Sequence, residues 1–404
     1  MVVGIIGAGA SGMAAALAAV ENENVQVELF ERQARVGRKL QATGNGRCNL
    51  TNLHASIGHY HGEDSAFAAF ALESMDPEAT IRWFQDLGLF TVAEESGKVY
   101  PYSDQANSVV DVLRYAIDQE RIQLHLGCEV QKIRCEDGGF TIECSDGLTR
   151  CDKLIVACGG LAGTKLGGSM SGYKILSKLG HKTSRLRPSL VQLRCAWGGI
   201  VALKGVRANC HVQILKNNAL FAESCGELQF TDYGLSGPVI FEVSRDACYG
   251  GGSWIARLDF LPAYSENELI AELERRRARN ISMEELLVGM IHNRLGRVLV
   301  KTAGIAGSMR SVDLKDAEIL EIVRALKAFE IVLTEPMGMD CAQVTAGGVL
   351  TADFDVNTME SKLVPGLYAC GEVLDIDGDC GGFNLQWAWS SGYLAGKCAG
   401  KEYK

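Results

Sequence analysis

The chain has 404 residues, 47% hydrophobic and 22% charged, with only seven prolines, which excludes a largely disordered protein and makes two structural units the expectation. Its net charge of −9 repels phosphate backbones and anionic lipid surfaces, so neither nucleic acid nor membrane is an expected partner. Fourteen cysteines stand without a CxxC or other close pair, which excludes a sequence-local zinc site or redox dithiol and points to a reducing, cytoplasmic setting.

In chain order, VVGII predicts a strand over Val2 to Ile6, then a Gly-rich turn, a helix over Ser11 to Glu21, and a strand over Val25 to Phe30 that ends in Glu31. No basic leader precedes it, and the apolar stretch Met13 to Val20 is too short to span a bilayer. Helices are predicted at Ser65 to Met75, Pro77 to Leu87 and Asn107 to Glu120. Between Ile122 and Ala157, the segments IQLHL, EVQKIRC, FTIEC and KLIVA, separated by DGG and SDG turns, read as an antiparallel meander. Residues 188–262 are strand-like and glycine-rich, and residues 263–328 are helical. Together they predict an inserted substrate-side domain over 188–334, between a first part (1–187) and a second part (335–404) of one α/β, Rossmann-type domain. The second part contributes a buried strand, GLYAC, and a closing helix from Asn384 to Lys397.

Chemistry enters at the first turn. Gly7, Gly9 and Gly12 satisfy GxGxxG directly after a strand and before a helix, the context in which the motif binds a dinucleotide. Gly7 permits the tight turn, Gly9 lets backbone approach a pyrophosphate, and Gly12 allows close helix packing, while the helix N-terminus, with Ala10 and Ser11, attracts the negative charge. Glu31 sits where a carboxylate accepts hydrogen bonds from ribose hydroxyls and repels a 2′-phosphate, with Arg32 beside it. FAD or NAD fits this unit better than NADP.

The next segment, RVGRKLQATGNGRCNLTN (Arg35 to Asn52), is a long polar Gly-rich loop that a plain dehydrogenase does not need. Its backbone amides, with Lys39, Thr43, Asn45, Gly46, Arg47, Cys48 and Asn49, are candidates for the flavin side of an FAD site. Cys48 is read as a buried packing residue rather than a nucleophile. With GRKLQATGNGRCNLTN, CGGLAGTKLGGSMSGYKILSKLGH, PSLVQL, TAGGV and LYACGEVLDIDGDCGGFNLQWAWSSG, the chain resembles the BaiN/YhiN-like flavoproteins, an aminoacetone-oxidase family of FAD-binding enzymes, over essentially its whole length.

The resemblance implies a glutathione-reductase-like FAD domain interrupted by a β-barrel-like part and a small helical part. It implies that Gly371 and Glu372 contact the ribityl chain, that the backbone of Val130 clamps the adenine, and that Ala157 and Gly159 border the cofactor. Gly381, Gly382, Asn384 and Leu385 would then place a helix N-terminus against the flavin, where amides stabilise the charge of its reduced form. Cys158 departs from the Thr that related flavoproteins carry before this Gly pair.

Three other features carry weaker signals. The acids in VLDIDGDCGG lack the Gly and the bidentate Glu of a calcium loop, and His59 and His61 form an HxH with no HExxH or nearby Cys, so no metal is expected and the HxH reads as a solvated loop. ELERRRARN reads as a helix with i,i+4 pairs such as Glu272 with Arg276. No second GxGxxG follows a strand, so NAD(P)H is expected only as a transient reductant at the flavin, and no catalytic side chain is singled out. The leading expectation is a reductase of an activated carbon–carbon double bond in a small apolar molecule. An oxidase of a small amine such as aminoacetone is the alternative, and an RNA-modifying flavoprotein a remote one against which the net charge argues.

Overall fold

Short apolar runs buried on both faces need cover above and below, which a parallel sheet wrapped in helices supplies. In the computed structural model, which describes residues 1–136, 138–145 and 147–401, five strands, three of them almost wholly buried, align side by side. Their order is Leu367–Ala369, Lys153–Val156, β1 (Val2–Ile6), β2 (Gln26–Glu31) and Ile122–Leu126, all parallel. β1 is therefore central, and its C-terminal end is where a doubly wound sheet presents a ligand. The chain divides into two compact units, Met1–Pro188 with Ala342–Lys404, and Ser189–Cys341.

The first unit corrects sequence expectations at the sheet and at one helix. Ile122–Leu126 and Lys153–Val156 belong to the parallel sheet, and only Val130–Glu136, Gly139–Cys144 and Gly147–Cys151 form the antiparallel meander. All four residues of Lys153–Val156 are buried, a pattern that a meander strand with a solvated face does not allow. The turn residues Asp137 and Asp146 lie outside the described residues. The predicted helix at Ser65 to Met75 is a 3₁₀ turn, Ser65–Ala68, followed by a short helix, Ala69–Ser74. The helix Pro77–Asp86 starts on Pro77 and is capped by Asp76, whose side chain accepts from the Ala79 amide at 2.7 Å.

Helix α1 (Ala10–Ala19) and the closing helix Phe383–Ala399 cross at close range because both present small residues. A Cβ on Gly392 would run into Ser11 O and one on Gly396 into Ala15 O, while one on Gly400 would lie 2.8 Å from Ala19 O. This contact fixes the last helix of the chain against the first. Trp387 and Trp389 are buried, and their indoles donate to Gly371 O at 3.2 Å and Leu50 O at 2.9 Å, tying the closing helix to both loops that precede it.

In the second unit, six strands close into a barrel in the order Leu193–Cys195, Gly234–Ser236, Ala219–Phe230, Arg207–Lys216, Trp254–Asp259 and Phe329–Pro336. Cys210, Val212 and Ile214 alternate inward along one strand, as do Trp254, Ala256 and Leu258 along its neighbour. The helices Glu266–Arg277, Asn293–Thr302 and Asp316–Lys327 follow, the first with a Ser265–Glu268 capping box. Arg276 pairs with Glu272 at 2.6 Å and also donates to Leu286 O and Val288 O, both at 2.8 Å, so it clamps a turn rather than decorating a solvated face.

Candidate functional site

The site grows out of the turn between β1 and α1. Gly7 donates its amide to Phe30 O at 2.7 Å, which holds the turn against β2. Its φ is +107°, and a Cβ there would run into Ala157 O, while a Cβ on Gly12 would run into Gly7 O. Gly9 differs: among the described residues, apart from its own chain neighbours, none places an atom within 4 Å of where its Cβ would be. Gly9 caps α1 with no side-chain hydrogen bond and no acidic residue in the first turn, so the helix N–H groups, around Ala10 and Ser11, are left for an anion.

Glu31 closes this turn from the side. Its two carboxylate oxygens accept from the Ala8 amide at 2.9 Å and the Gln33 amide at 2.8 Å, which fixes its position and leaves lone pairs for ribose hydroxyls. Arg32 donates to Gly167 O and, with Val130, lines a cavity of about 410 Å³ shared with Ser169, Ser171 and Lys174. The structure thus brings Arg32 to one wall with Val130, whose backbone is expected to clamp the adenine.

The loop after β2 is anchored at Gly37, whose amide donates to Ala8 O at 3.0 Å. Lys39, on the short helix Arg38–Ala42, pairs with Glu372 Oε2 at 2.7 Å. Glu372 Oε1 in turn accepts the Thr345 amide at 2.9 Å, and Thr345 Oγ1 accepts the amides of Leu161 and Ala162, both at 2.9 Å. This chain of bonds draws the Gly371–Glu372 turn, the loop after Ala157 and Gly159, and the Lys39 helix into one rim. Gly371 has φ +75° and a Cβ on it would lie 2.5 Å from Ser11 Oγ, so this turn abuts α1. Thr345 was not among the sequence candidates, although it opens the TAGGV motif.

Thr43 to Gly46 form a tight turn in which Asn45 is left-handed, with Asn45 and Gly46 exposed. Thr43 Oγ1 donates to Leu40 O at 2.7 Å. Arg47 is held by Asp104 and Glu94 and stacks over Tyr100 at 4.0 Å, so its charge is already neutralised by protein. Cys48 is buried with φ +60°, and burial pushes its thiol up to about 12, which leaves it protonated and unreactive at neutral pH. The thiols of Cys158 and Cys370 are pushed to about 12 by the same desolvation.

Asn49 supplies the clearest test of fit. Its Oδ1 is buried without a hydrogen-bond partner among the described residues, and it lies 2.9 Å from where a Cβ on Gly382 would be. A buried carbonyl oxygen facing a glycine gap at a helix N-terminus needs a ligand donor, such as the ring N–H of a flavin. Gly381 and Gly382 both have positive φ, and a Cβ on Gly382 would lie 2.5 Å from Thr51 O. The helix Phe383–Ala399 begins here without a side-chain cap on Gly382. Asn384 does not face outward: its Oδ1 accepts the Gly378 amide at 2.8 Å and its Nδ2 donates to Gly378 O at 2.7 Å, closing the preceding turn. Leu385 is half-buried.

His59 and His61 are not a solvated loop. Their rings bracket Asp379, at 2.9 Å and 2.7 Å, and the strand Tyr60–His61 pairs with Asp377–Gly378. The HxH spacing alone gave no hint of a partner more than three hundred residues away.

The family model described as HI0933-like protein Rossmann domain matches residues 1–398. A 3-dehydro-bile acid delta(4,6)-reductase of Clostridium scindens is 38% identical over 98% of this chain and 98% of its own length. A ribosomal RNA dihydrouridine synthase of Escherichia coli is 32% identical over 96% of this chain and 95% of its own length. Among solved structures, a variant of the E. coli quinol fumarate reductase subunit FrdA superposes with a TM-score of 0.50 at 17% identity, covering 98% of this chain and 69% of that one, a likeness of fold alone. The chain belongs to the HI0933-like family of Rossmann proteins, and the cofactor for which its cradle is built is FAD.

Proposed function

We propose that this oxidoreductase adds a hydrogen pair across a carbon–carbon double bond conjugated to a carbonyl, with NAD(P)H as the hydride source. The observation that carries the reading is the 38% identity, end to end, with a delta(4,6)-reductase of 3-dehydro-bile acids. The dihydrouridine synthase relative supports the same bond chemistry, since making dihydrouridine saturates a ring double bond conjugated to a carbonyl. FAD, held by this cradle, would supply the hydride chemistry that links a nicotinamide donor to the carbon β to the carbonyl.

The chain's own residues orient and polarise. Two uncapped helix N-termini, at Gly9 and Gly382, put positive dipole ends at the pyrophosphate and flavin ends of the cradle. Lys39 and Glu372 hold the rim between them. With Cys48, Cys158 and Cys370 protonated, a thiolate route is unsupported and the cofactor carries the electrons.

A small apolar enone is the favoured substrate class. The same reaction on a uracil base of RNA is the second reading, favoured by the E. coli relative and opposed by the net charge of −9. Holoprotein incubated without oxygen with NADH or NADPH and either a 3-oxo steroid bearing a conjugated double bond or a uracil-bearing ribosomal RNA fragment separates them. The expected result is a steroid product heavier by a hydrogen pair, with the RNA unchanged. Saturated uracil with untouched steroid moves the function to the second reading. No product with either, together with oxygen-dependent oxidation of aminoacetone, replaces both with an amine oxidase.

A further inference from the structure

Reduction of a conjugated double bond consumes a hydride and a proton, and the cradle residues described above account only for the hydride. Beside the cradle, next to the turn that opens the closing helix, stand His59, Asp379 and His61, which carry ionisable protons. His59 Nδ1 lies 2.9 Å from Asp379 Oδ2, and His61 Nε2 lies 2.7 Å from Asp379 Oδ1. An ionised carboxylate only accepts, so those two nitrogens carry hydrogens, and His59 Nε2 and His61 Nδ1 are left as the positions that gain or lose a proton.

Their place in the fold is set by backbone. The Asp379 amide donates to His59 O at 3.0 Å, the His59 ring stacks on Phe383 at 4.3 Å, and Asp379 precedes Cys380, Gly381 and Gly382, the turn that opens the closing helix. Asn384, in the first turn of that helix, donates to Asp379 O at 3.1 Å. Both rings are about one third exposed, at 38% and 34%, so water reaches them. Tyr60 on the same strand, Asp375 and Asp377 on the facing turn, Cys380 next to Asp379, Glu63 beyond the strand and Lys98 beside Gly381 are titratable groups around them. No group of three His, Cys, Asp or Glu side chains able to hold a metal exists among the described residues.

We propose that His59, Asp379 and His61 are the proton store of the redox site: they take up a proton when the site is reduced and release it to the carbon α to the carbonyl when the substrate is reduced. This rests on the reductase reading above. The hydride forms the bond at the β carbon, the π pair moves to the α carbon, and that carbon takes the proton from an imidazolium, which returns to neutral imidazole and recharges from water. Asp379 keeps the rings oriented.

The test counts protons rather than turnover, so it stands apart from the substrate assignment. Flavin-loaded protein is photoreduced without oxygen in weakly buffered solution with a pH indicator, and proton uptake per electron pair is read between about pH 6 and 8, where imidazole titrates. The double variant His59→Gln/His61→Gln is expected to take up roughly one proton fewer than the parent, and Asp379→Asn, which releases both rings, to take up fewer as well. His211→Gln, in the barrel, is the control with unchanged uptake. Equal uptake in the double variant and the parent overturns the proposal. If the double variant loses its flavin, the single variants and Asp379→Asn are read instead; unchanged uptake in all of them, or loss of flavin in all of them, reduces the trio to a loop brace and equally overturns it. A parent protein that stores the proton yet reduces no conjugated substrate sinks the reductase reading and leaves the store standing.

Discussion

Gly7 and Gly9 stand two residues apart in one turn, and different physics holds each. Gly7 is required by the protein itself, through its positive φ and the nearness of Ala157 O, whereas Gly9 has extended backbone and empty space where a side chain would go. Gly7→Ala is therefore expected to destabilise the flavin-free protein by about 2 kcal/mol or more. Gly9→Asp should leave flavin-free stability within about 0.5 kcal/mol, since Asp is a good N-cap, and abolish flavin retention because charge and bulk fill the pyrophosphate position. Urea unfolding of the stripped proteins and the absorbance of the purified ones check both halves, and a yellow Gly9→Asp protein contradicts the placement.

His181 gives a pH dependence at the same scale. Its side chain is fully buried, and Ser361 Oγ, 3.0 Å from His181 Nε2, already accepts the Leu363 and Val364 amides, so the hydroxyl proton goes to that nitrogen. Burial lowers the His181 pKa, with Asp353 opposing weakly from 3.9 Å. The unfolded chain then binds a proton that the folded one refuses, so this residue's contribution is complete above about pH 6.5 and lost as pH falls below it. The stability gap between the parent and His181→Gln should narrow from pH 7.5 to 5.5, and a gap that stays constant contradicts the assignment. The residues legible in the sequence were those with local signatures, Gly7, Gly9, Gly12 and Glu31. Asp379 and its two histidines were not, because their pairing spans 318 and 320 positions.

At the scale of elements, the crossing of α1 and the closing helix brings the pyrophosphate and flavin ends of the cradle together. Gly396→Val would force a branched side chain into Ala15 O and is expected to cost about 3 kcal/mol and to release flavin, since Gly9 rides on α1. Lys397→Ala, one residue on and exposed, should change stability by less than about 0.5 kcal/mol. Thermal unfolding with flavin content measured in parallel distinguishes them; equal effects would mean that the small-residue contact does not hold the helices. The sequence showed the alanines of α1 but not their partner. It also placed KLIVA in a meander, because a four- or five-residue apolar run carries no periodicity that separates a parallel strand from a hairpin arm, and its neighbours in the sheet come from the two distant ends of the chain.

For the whole molecule, composition and charge bounded the answer early, and the family motifs named the cofactor before the structure placed its cradle. The barrel was expected from the family resemblance; residue pattern alone showed a strand-like, glycine-rich stretch, since closure depends on pairing Leu193–Cys195 with Phe329–Pro336 across the helical segment. On the proposed reading, the first unit holds FAD and the protein reduces a carbonyl-conjugated double bond. Flavin-loaded protein photoreduced without oxygen and mixed with a conjugated 3-oxo steroid tests it in a single turnover. The account predicts that oxidised-flavin absorbance returns with the formation of saturated steroid, faster than with an equal concentration of oxygen. Rapid return with oxygen and none with the enone would contradict it.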